Sequence, residues 1–383
     1  NCNIFIGKYA GYFNHGDDNI AIGRKAGCNI STGVRNIVLG SVGNCISTGS
    51  CNIAIGGINN MSLNNQTGNN NLSMGAFTGR RLTSGSGNTF LGSSAGRYVT
   101  SGAVNVFVGQ FAGYCATSGC ENTAVGCGAG RGATSAFHNT SIGRSAGFNN
   151  ATGHGNVAVG HSAGYGNKGS NNISIGATAG PADSCTDNVD NILIGRQVGS
   201  SLTSGCSNIF MGVCAGVNAG TATSAIVIGN CAGKCFSPSL NTHGSGYGNI
   251  FVGEYAGKCV TTGIVNVLIG KCAGCCLHGS HTTIAIGSNA GAKTCAANDN
   301  VFVGSSAGEC NTTGNTNVMI GNKVGRVTTS GNNNIFIGQF AGCHNLGGGS
   351  NVYIGNCSGY KTQGHANVML GLSAGFHRCG SKY

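Results

Sequence analysis

The sequence predicts an all-β fold, a parallel β-solenoid or β-roll of about 22 coils, mostly 17 residues each. Three observations carry that expectation. A unit of Asn, three mostly apolar residues, Gly, two variable residues and usually Ala-Gly recurs 22 times, from Asn3 to Gly375. Nearly every copy starts 16 or 17 residues after the one before, a period that suits one coil of a stacked array. Gly occupies the fifth place of the unit in all 22 copies, as a recurring backbone turn requires. No copy could bury a core alone, so stacked copies share one. Residues 1–383 therefore read as a single continuous repeat domain, with a loop insertion near 235–248.

Counting each coil from its Asn as position 0, coils start at residues 3, 19, 36, 52, 71, 88, 105, 122, 139, 156, 172, 191, 208, 225, 249, 266, 283, 300, 317, 334, 351 and 367. Only Ala225 and Thr283 depart from Asn. In-register stacking would set successive Asn side chains ~4.8 Å apart, close enough for a ladder of amide hydrogen bonds. Positions 1 to 3 read as a short strand. Position 4 is the invariant Gly. Position 8 is Gly in all but two coils, which carry Asn44 and Asn60, and Asn also tolerates the left-handed conformation. A second turn recurs as Thr-Ser-Gly or Thr-Thr-Gly, as at Thr100-Ser101-Gly102 and Thr261-Thr262-Gly263. Gly recurs too often for a helix to nucleate.

Positions 1 and 3 are Ile, Val, Leu or Met in most coils and should share one face. Position 2 points the other way and never carries a charge or an amide. Its aromatics are Phe5, Phe90, Phe107, Phe210, Phe251, Phe302, Phe336 and Tyr353. A strand apolar on both faces is expected to be covered on both. The position-2 stripe is accordingly expected to form a chain–chain interface, because soluble monomers rarely expose such a patch.

Composition narrows the function. Gly makes up 72 residues without the every-third spacing of collagen, and 40% of the chain is hydrophobic, too much for disorder. The net charge of +11 comes from few groups, and Arg24-Lys25 and Arg80-Arg81 are the only adjacent basic pairs. No basic stripe with interleaved aromatics stands out along the sequence, so no nucleic-acid partner is expected. No apolar run approaches the ~20 residues of a membrane helix, so no membrane insertion is expected. No signal peptide is visible, and the chain reads as a mature product or a fragment of something longer.

The 21 cysteines lack zinc-ligand spacing and favour disulfides, hence an oxidising, extracellular setting. Cys28 with Cys45, Cys214 with Cys231 and Cys259 with Cys276 share columns in consecutive coils, within the Cα range a bridge accepts. An odd total leaves at least one Cys unpaired or bonded between chains. Asn-x-Ser/Thr sequons, the candidate glycosylation sites, occur at Asn29, Asn60, Asn65, Asn71, Asn139, Asn150, Asn172, Asn311 and Asn356. Nine acidic residues, clustered only at Asp17-Asp18 and at Asp183, Asp187 and Asp190, are too few for glycosidase chemistry or a calcium-binding roll. The ten histidines are scattered and read as surface residues. No catalytic residue, metal or cofactor is expected.

The unit Asn19-Ile20-Ala21-Ile22-Gly23-Arg24-Lys25-Ala26-Gly27 resembles the head repeats of trimeric autotransporter adhesins. Asn88-Thr89-Phe90-Leu91-Gly92-Ser93-Ser94-Ala95-Gly96 is similar to repeats of phage and viral fibre proteins. The resemblance covers essentially the whole chain. It implies a parallel β-roll, three chains side by side, in an extracellular fibre or adhesive head, with no catalytic residues to carry over. Three features depart from those heads: the abundant cysteine, the lack of a heptad stalk and the lack of a membrane anchor. The expected function is a structural subunit of an extracellular fibre or filament, adhesive through its variable turns. Its expected partner is itself, as a trimer or an end-to-end filament of rods roughly 105 Å long at one strand spacing per coil, together with a surface glycan or receptor. The alternative is a glycan-, receptor- or ice-binding solenoid. The ice-binding form rests on a Thr column at Thr48, Thr100, Thr117, Thr134, Thr203, Thr261, Thr312 and Thr329.

Overall fold

The computed structural model describes residues 2–40, 47–56, 67–181, 188–236 and 246–376. The chain divides into two compact units, residues 1–188 and 189–383. Each is a parallel β-solenoid, and the described residues contain no helix. The first unit runs from β1 (Ile4–Ile6) through β2 (Ile20–Ile22), β6 (Thr89–Leu91), β7 (Val106–Val108) and β8 (Thr123–Val125) to β11 (Ile173–Ile175). The second runs from β12 (Ile192–Ile194) through β14 (Ile226–Ile228) and β15 (Ile250–Val252) to β22 (Val368–Leu370). Each strand is three residues long, because the Asn at position 0 and the Gly at position 4 bracket it.

Within each unit the pairing is parallel and in register, position for position. Phe90 pairs with Phe107 and Phe107 with Ala124 across β6, β7 and β8. In the second unit the 24-residue step from Ala225 to Asn249 leaves the register of β14 and β15 intact, with Val227 opposite Phe251. The core of the expected insertion, residues 237–245, lies outside the described residues.

The interior differs from the sequence expectation. Phe90, Phe107, Phe210, Phe251, Phe302, Phe336 and Tyr353 are fully buried within their own coils. They therefore cannot form the chain–chain interface expected of them. Phe5 keeps 38% exposure because β1 has a coil on one side only. The coil is narrow, and three columns fill it: position 2, the Ala of position 7, and position 11. Phe107 stacks on Phe90 with ring centroids 5.4 Å apart, and Phe336 stacks on Tyr353 at 4.8 Å. In some coils positions 2 and 11 offset each other in volume: Phe107 with Ala116, Ser73 with Leu82, Val227 with Phe236, all buried. The close packing of protein interiors demands such compensation.

Positions 1 and 3 consequently face outward. Strand alternation puts them opposite position 2, and position 2 is inside.

Candidate functional site

Four repeating columns follow from the in-register stacking within each unit. The first is the outer face of the strands. In the first unit it carries Ile, Val, Leu, Met and three Thr, and no charge. Its side chains are half-buried to exposed, with Ile142 at 41%. In the second unit the same face is Ile, Val, Met and Leu throughout, with Ile335 at 40%. This is an apolar band one strand wide, of the kind that marks interaction surfaces.

The second is the Asn column, buried and bonded as expected. Asn105 shows the pattern. Its Nδ2 donates to Asn88 Oδ1 at 3.0 Å and to the Gly119 carbonyl at 2.8 Å. Its Oδ1 accepts from the Asn122 backbone N–H at 3.0 Å and from Asn122 Nδ2 at 3.2 Å. Four of the sequons are spent in such interior bonding: Asn71, Asn139 and Asn172 stand in the column, and Asn150 closes the following turn by accepting from the Gly153 N–H. Asn311 accepts from the Gly314 N–H in the same way. All five are buried, so they cannot carry a glycan on the folded coil, which corrects that expectation. Asn356 is exposed and Asn29 half-buried, while Asn60 and Asn65 lie outside the described residues.

The third is a column two residues before each coil start, polar in many coils and apolar in others, as at Ala103, Phe137 and Ile264. Here an acceptor side chain takes the backbone N–H of the previous coil: Ser86 from Asn69, Asn315 from Asn298, Asn332 from Asn315. Three histidines belong to this column and are not incidental surface groups. His154 Nδ1 accepts from the Phe137 N–H at 3.2 Å, His281 Nδ1 from Ile264, and His365 Nδ1 from Gly349. An accepting Nδ1 must be unprotonated. Burial holds His154 below the usual imidazole range, and the neighbouring His138 adds to this. The sign follows. A His with a depressed folded pKa contributes stability above the unfolded value, about 6.5, and loses it as pH falls through the folded one. The first unit is therefore expected to melt at lower temperature at about pH 5 than at about pH 7.5. His154→Ser keeps an acceptor, as Ser170 and Ser86 do in that column, and should shrink the difference. An unchanged pH dependence in the variant would count against the assignment.

The fourth lies at position 9, on the edge beyond the first turn. Successive coils of the first unit place Arg80, Arg97, Tyr114, Arg131, Phe148 and Tyr165 there, and backbone hydrogen bonds to the carbonyls of Arg97, Tyr114, Arg131, Phe148 and Tyr165 keep them in step. Arg97 lies 5.0 Å from the Phe77 ring centroid and 5.8 Å from that of Tyr114. Arg131 lies 5.3 Å from Tyr114 and 5.4 Å from Phe148. Arg81 lies 4.6 Å from Tyr98, and Phe148 stacks on Tyr165 at 4.9 Å. A basic stripe with interleaved aromatics therefore does exist. The sequence conceals it because its members stand about one coil apart along the chain.

The cysteines follow the columns too. Cys231 bonds through its backbone N–H to the Val213 carbonyl beside Cys214, and Cys259 to the Cys275 carbonyl beside Cys276. Cys214, Cys231, Cys259 and Cys276 are free thiols in this structure. Cys28 is half-buried, and Cys45 lies outside the described residues. Cys235 joins Cys259 and Cys276 in one column. Burial, then the flanking thiols Cys235 and Cys276, pushes the Cys259 thiol up. Burial pushes Cys275, 3.8 Å from Cys276 Sγ, up to about 12.

Hydroxyls of the Thr column are mostly engaged within the stack. Thr100, Thr117, Thr134, Thr203, Thr312 and Thr329 each donate their hydroxyl to a carbonyl of the next coil.

Compared with known protein families and with curated proteins, the chain matches none.

Proposed function

We propose that this chain is a structural subunit of an extracellular protein fibre in which copies pack through the outer strand face. The observation that carries the reading is the uncharged, mostly apolar band of positions 1 and 3, half-buried to exposed on the strands of both units. Burying it is favourable at ~25 cal/mol per Å² of apolar surface. The resemblance to adhesin heads and fibre repeats suggests three copies side by side. The thiol columns support the extracellular part of the reading: oxidation of Cys214 with Cys231, and of Cys259 with Cys276, would tie neighbouring coils. Cys235 and Cys276 compete for Cys259, so one thiol of that column would remain for a second chain.

The test is the association state of wild type and of the double variant Val106→Lys/Ile142→Lys by sedimentation equilibrium, with electron microscopy of the wild type. Both positions are exposed, so the coil should keep its far-UV spectrum. Wild type should form trimers or elongated particles and the variant should dissociate. A monomeric wild type, or a variant that assembles equally well, would overturn the proposal.

A further inference from the structure

We propose that the position-9 ladder of the first unit is a binding strip for an anionic polysaccharide. It stands apart from the apolar strand face, so it does not depend on how copies assemble. Four arginines, Arg80, Arg81, Arg97 and Arg131, converge on one edge. Among the described residues the three ion pairs are His138 with Glu121, Lys271 with Glu254 and Arg326 with Glu309, so none of the four has a carboxylate partner. Among the described residues their guanidinium donors make no hydrogen bond to the protein either. What holds them is ring contact: Arg97 among Phe77, Tyr98 and Tyr114, Arg131 among Phe111, Tyr114 and Phe148. Such contact fixes the side chains without using their N–H groups, so less entropy remains to be lost when an anion binds. A fixed guanidinium fork matches a carboxylate or a sulfate.

The spacing selects a polymer. Arg80 and Arg97 are one coil apart and Arg97 and Arg131 two, which is about 5 and about 10 Å along the stack. An extended glycan advances by close to one coil per sugar ring, so acidic groups on every sugar or every second sugar fall into step with the cations. Stacked nucleic acid sets its phosphates about 3.4 Å apart along each strand. It also needs vacant ring faces on which bases can stack. Here the Tyr114 ring is flanked by Arg97 and Arg131, and Phe148 lies against Arg131 and Tyr165. The ladder therefore favours a glycan over a nucleic acid.

The experiment measures binding of the full chain to polygalacturonate, heparin, neutral dextran and oligothymidylate at several salt concentrations. Wild type should bind polygalacturonate, heparin or both, more weakly as salt rises, and should ignore dextran. Preference between the two acidic glycans identifies carboxylate or sulfate as the recognised group. Arg97→Gln/Arg131→Gln should weaken that binding about tenfold or more, since each charge-assisted hydrogen bond contributes a factor of that order. Arg24→Gln/Lys25→Gln removes the same charge three coils, about 15 Å, along the stack from Arg80 and should change it little. Both variants should melt with wild type, which shows that the coil is intact. Equal losses in the two variants would mean attraction by net charge alone and overturn the proposal. So would tighter binding to oligothymidylate than to either glycan, or no binding to any polyanion.

Discussion

Gly109→Ala is expected to destabilise the first unit by about 3 kcal/mol or more. Two costs combine. Gly109 has φ +131°, which an L side chain rarely adopts. A Cβ there would also lie 2.6 Å from the Gly126 carbonyl oxygen and 2.7 Å from its carbon. Neither contact can relax by a side-chain rotation, because both partners are backbone. The coils cannot move apart cheaply either, since the Gly109 N–H donates to Leu91 O at 2.7 Å and the Gly126 N–H to Val108 O at 2.8 Å. Stability in a solenoid is close to a sum over neighbours, so the damage should fall on the contacts among β6, β7 and β8. Far-UV denaturation measures it. The adjacent, exposed Gln110→Ala should lie within about 0.5 kcal/mol of wild type. A Gly109→Ala protein that unfolds with wild type would show that position 4 is not a site of close backbone approach.

That Gly column and the Asn column were legible in the sequence because each demands one residue type. A missing side chain at position 4 and a carboxamide at position 0 have few substitutes, so both recur visibly. Which face of the strand is inside was not legible from alternation. Three consecutive apolar residues give no polar side to orient by, and the aromatic bulk of position 2 reads equally well as interface or interior. A partial signal was the volume trade between positions 2 and 11 in some coils, as in Phe107 with Ala116 and Val227 with Phe236, although others, such as Phe251 with Val260, do not follow it. Position 6 and the residue before each Asn were not legible at all. Among the described residues of the coils from Asn19 on they are left-handed, as at Phe111 (φ +58°), Val104 (+57°) and Val265 (+54°), yet carry almost any side chain. Hydrogen bonds across coils, such as Val104 N–H to Ser86 O at 2.9 Å, hold that conformation, so composition leaves no trace of it. The arginine–aromatic ladder was hidden for a different reason. Neighbours in the stack are about one coil apart in the chain, and a search for local basic runs cannot find them.

Asn105→Ala and Ala225→Asn should move stability in opposite directions, because they remove and restore one rung of the same ladder. In the first unit, losing Asn105 deprives the Asn122 backbone N–H of its acceptor, Asn122 Nδ2 of one of its two acceptors and the Gly119 carbonyl of its donor, all in a buried column. At about 1–3 kcal/mol for each buried group left unsatisfied, a loss of about 3–5 kcal/mol is expected once partial relaxation is allowed for. The second unit already contains such a gap. Ala225 still donates its N–H to Asn208 Oδ1 at 2.9 Å but has no amide to hand on to Asn249. An Asn there would place Nδ2 against Asn208 Oδ1 and Oδ1 toward Asn249, and should add about 1 kcal/mol, the net value of a typical buried bond. The asymmetry of the two magnitudes is itself part of the expectation: breaking a rung leaves buried groups short of a partner, although Asn122 Nδ2 keeps its bond to the Ala136 carbonyl, whereas at Ala225 the chain has already settled around the gap. Urea denaturation of the two variants beside wild type decides it. If Asn105→Ala costs less than about 1 kcal/mol, the amide ladder is decoration on a coil held by its backbone bonds. If Ala225→Asn destabilises while Asn105→Ala behaves as expected, the column is real but closed over at that coil, leaving no room for the amide.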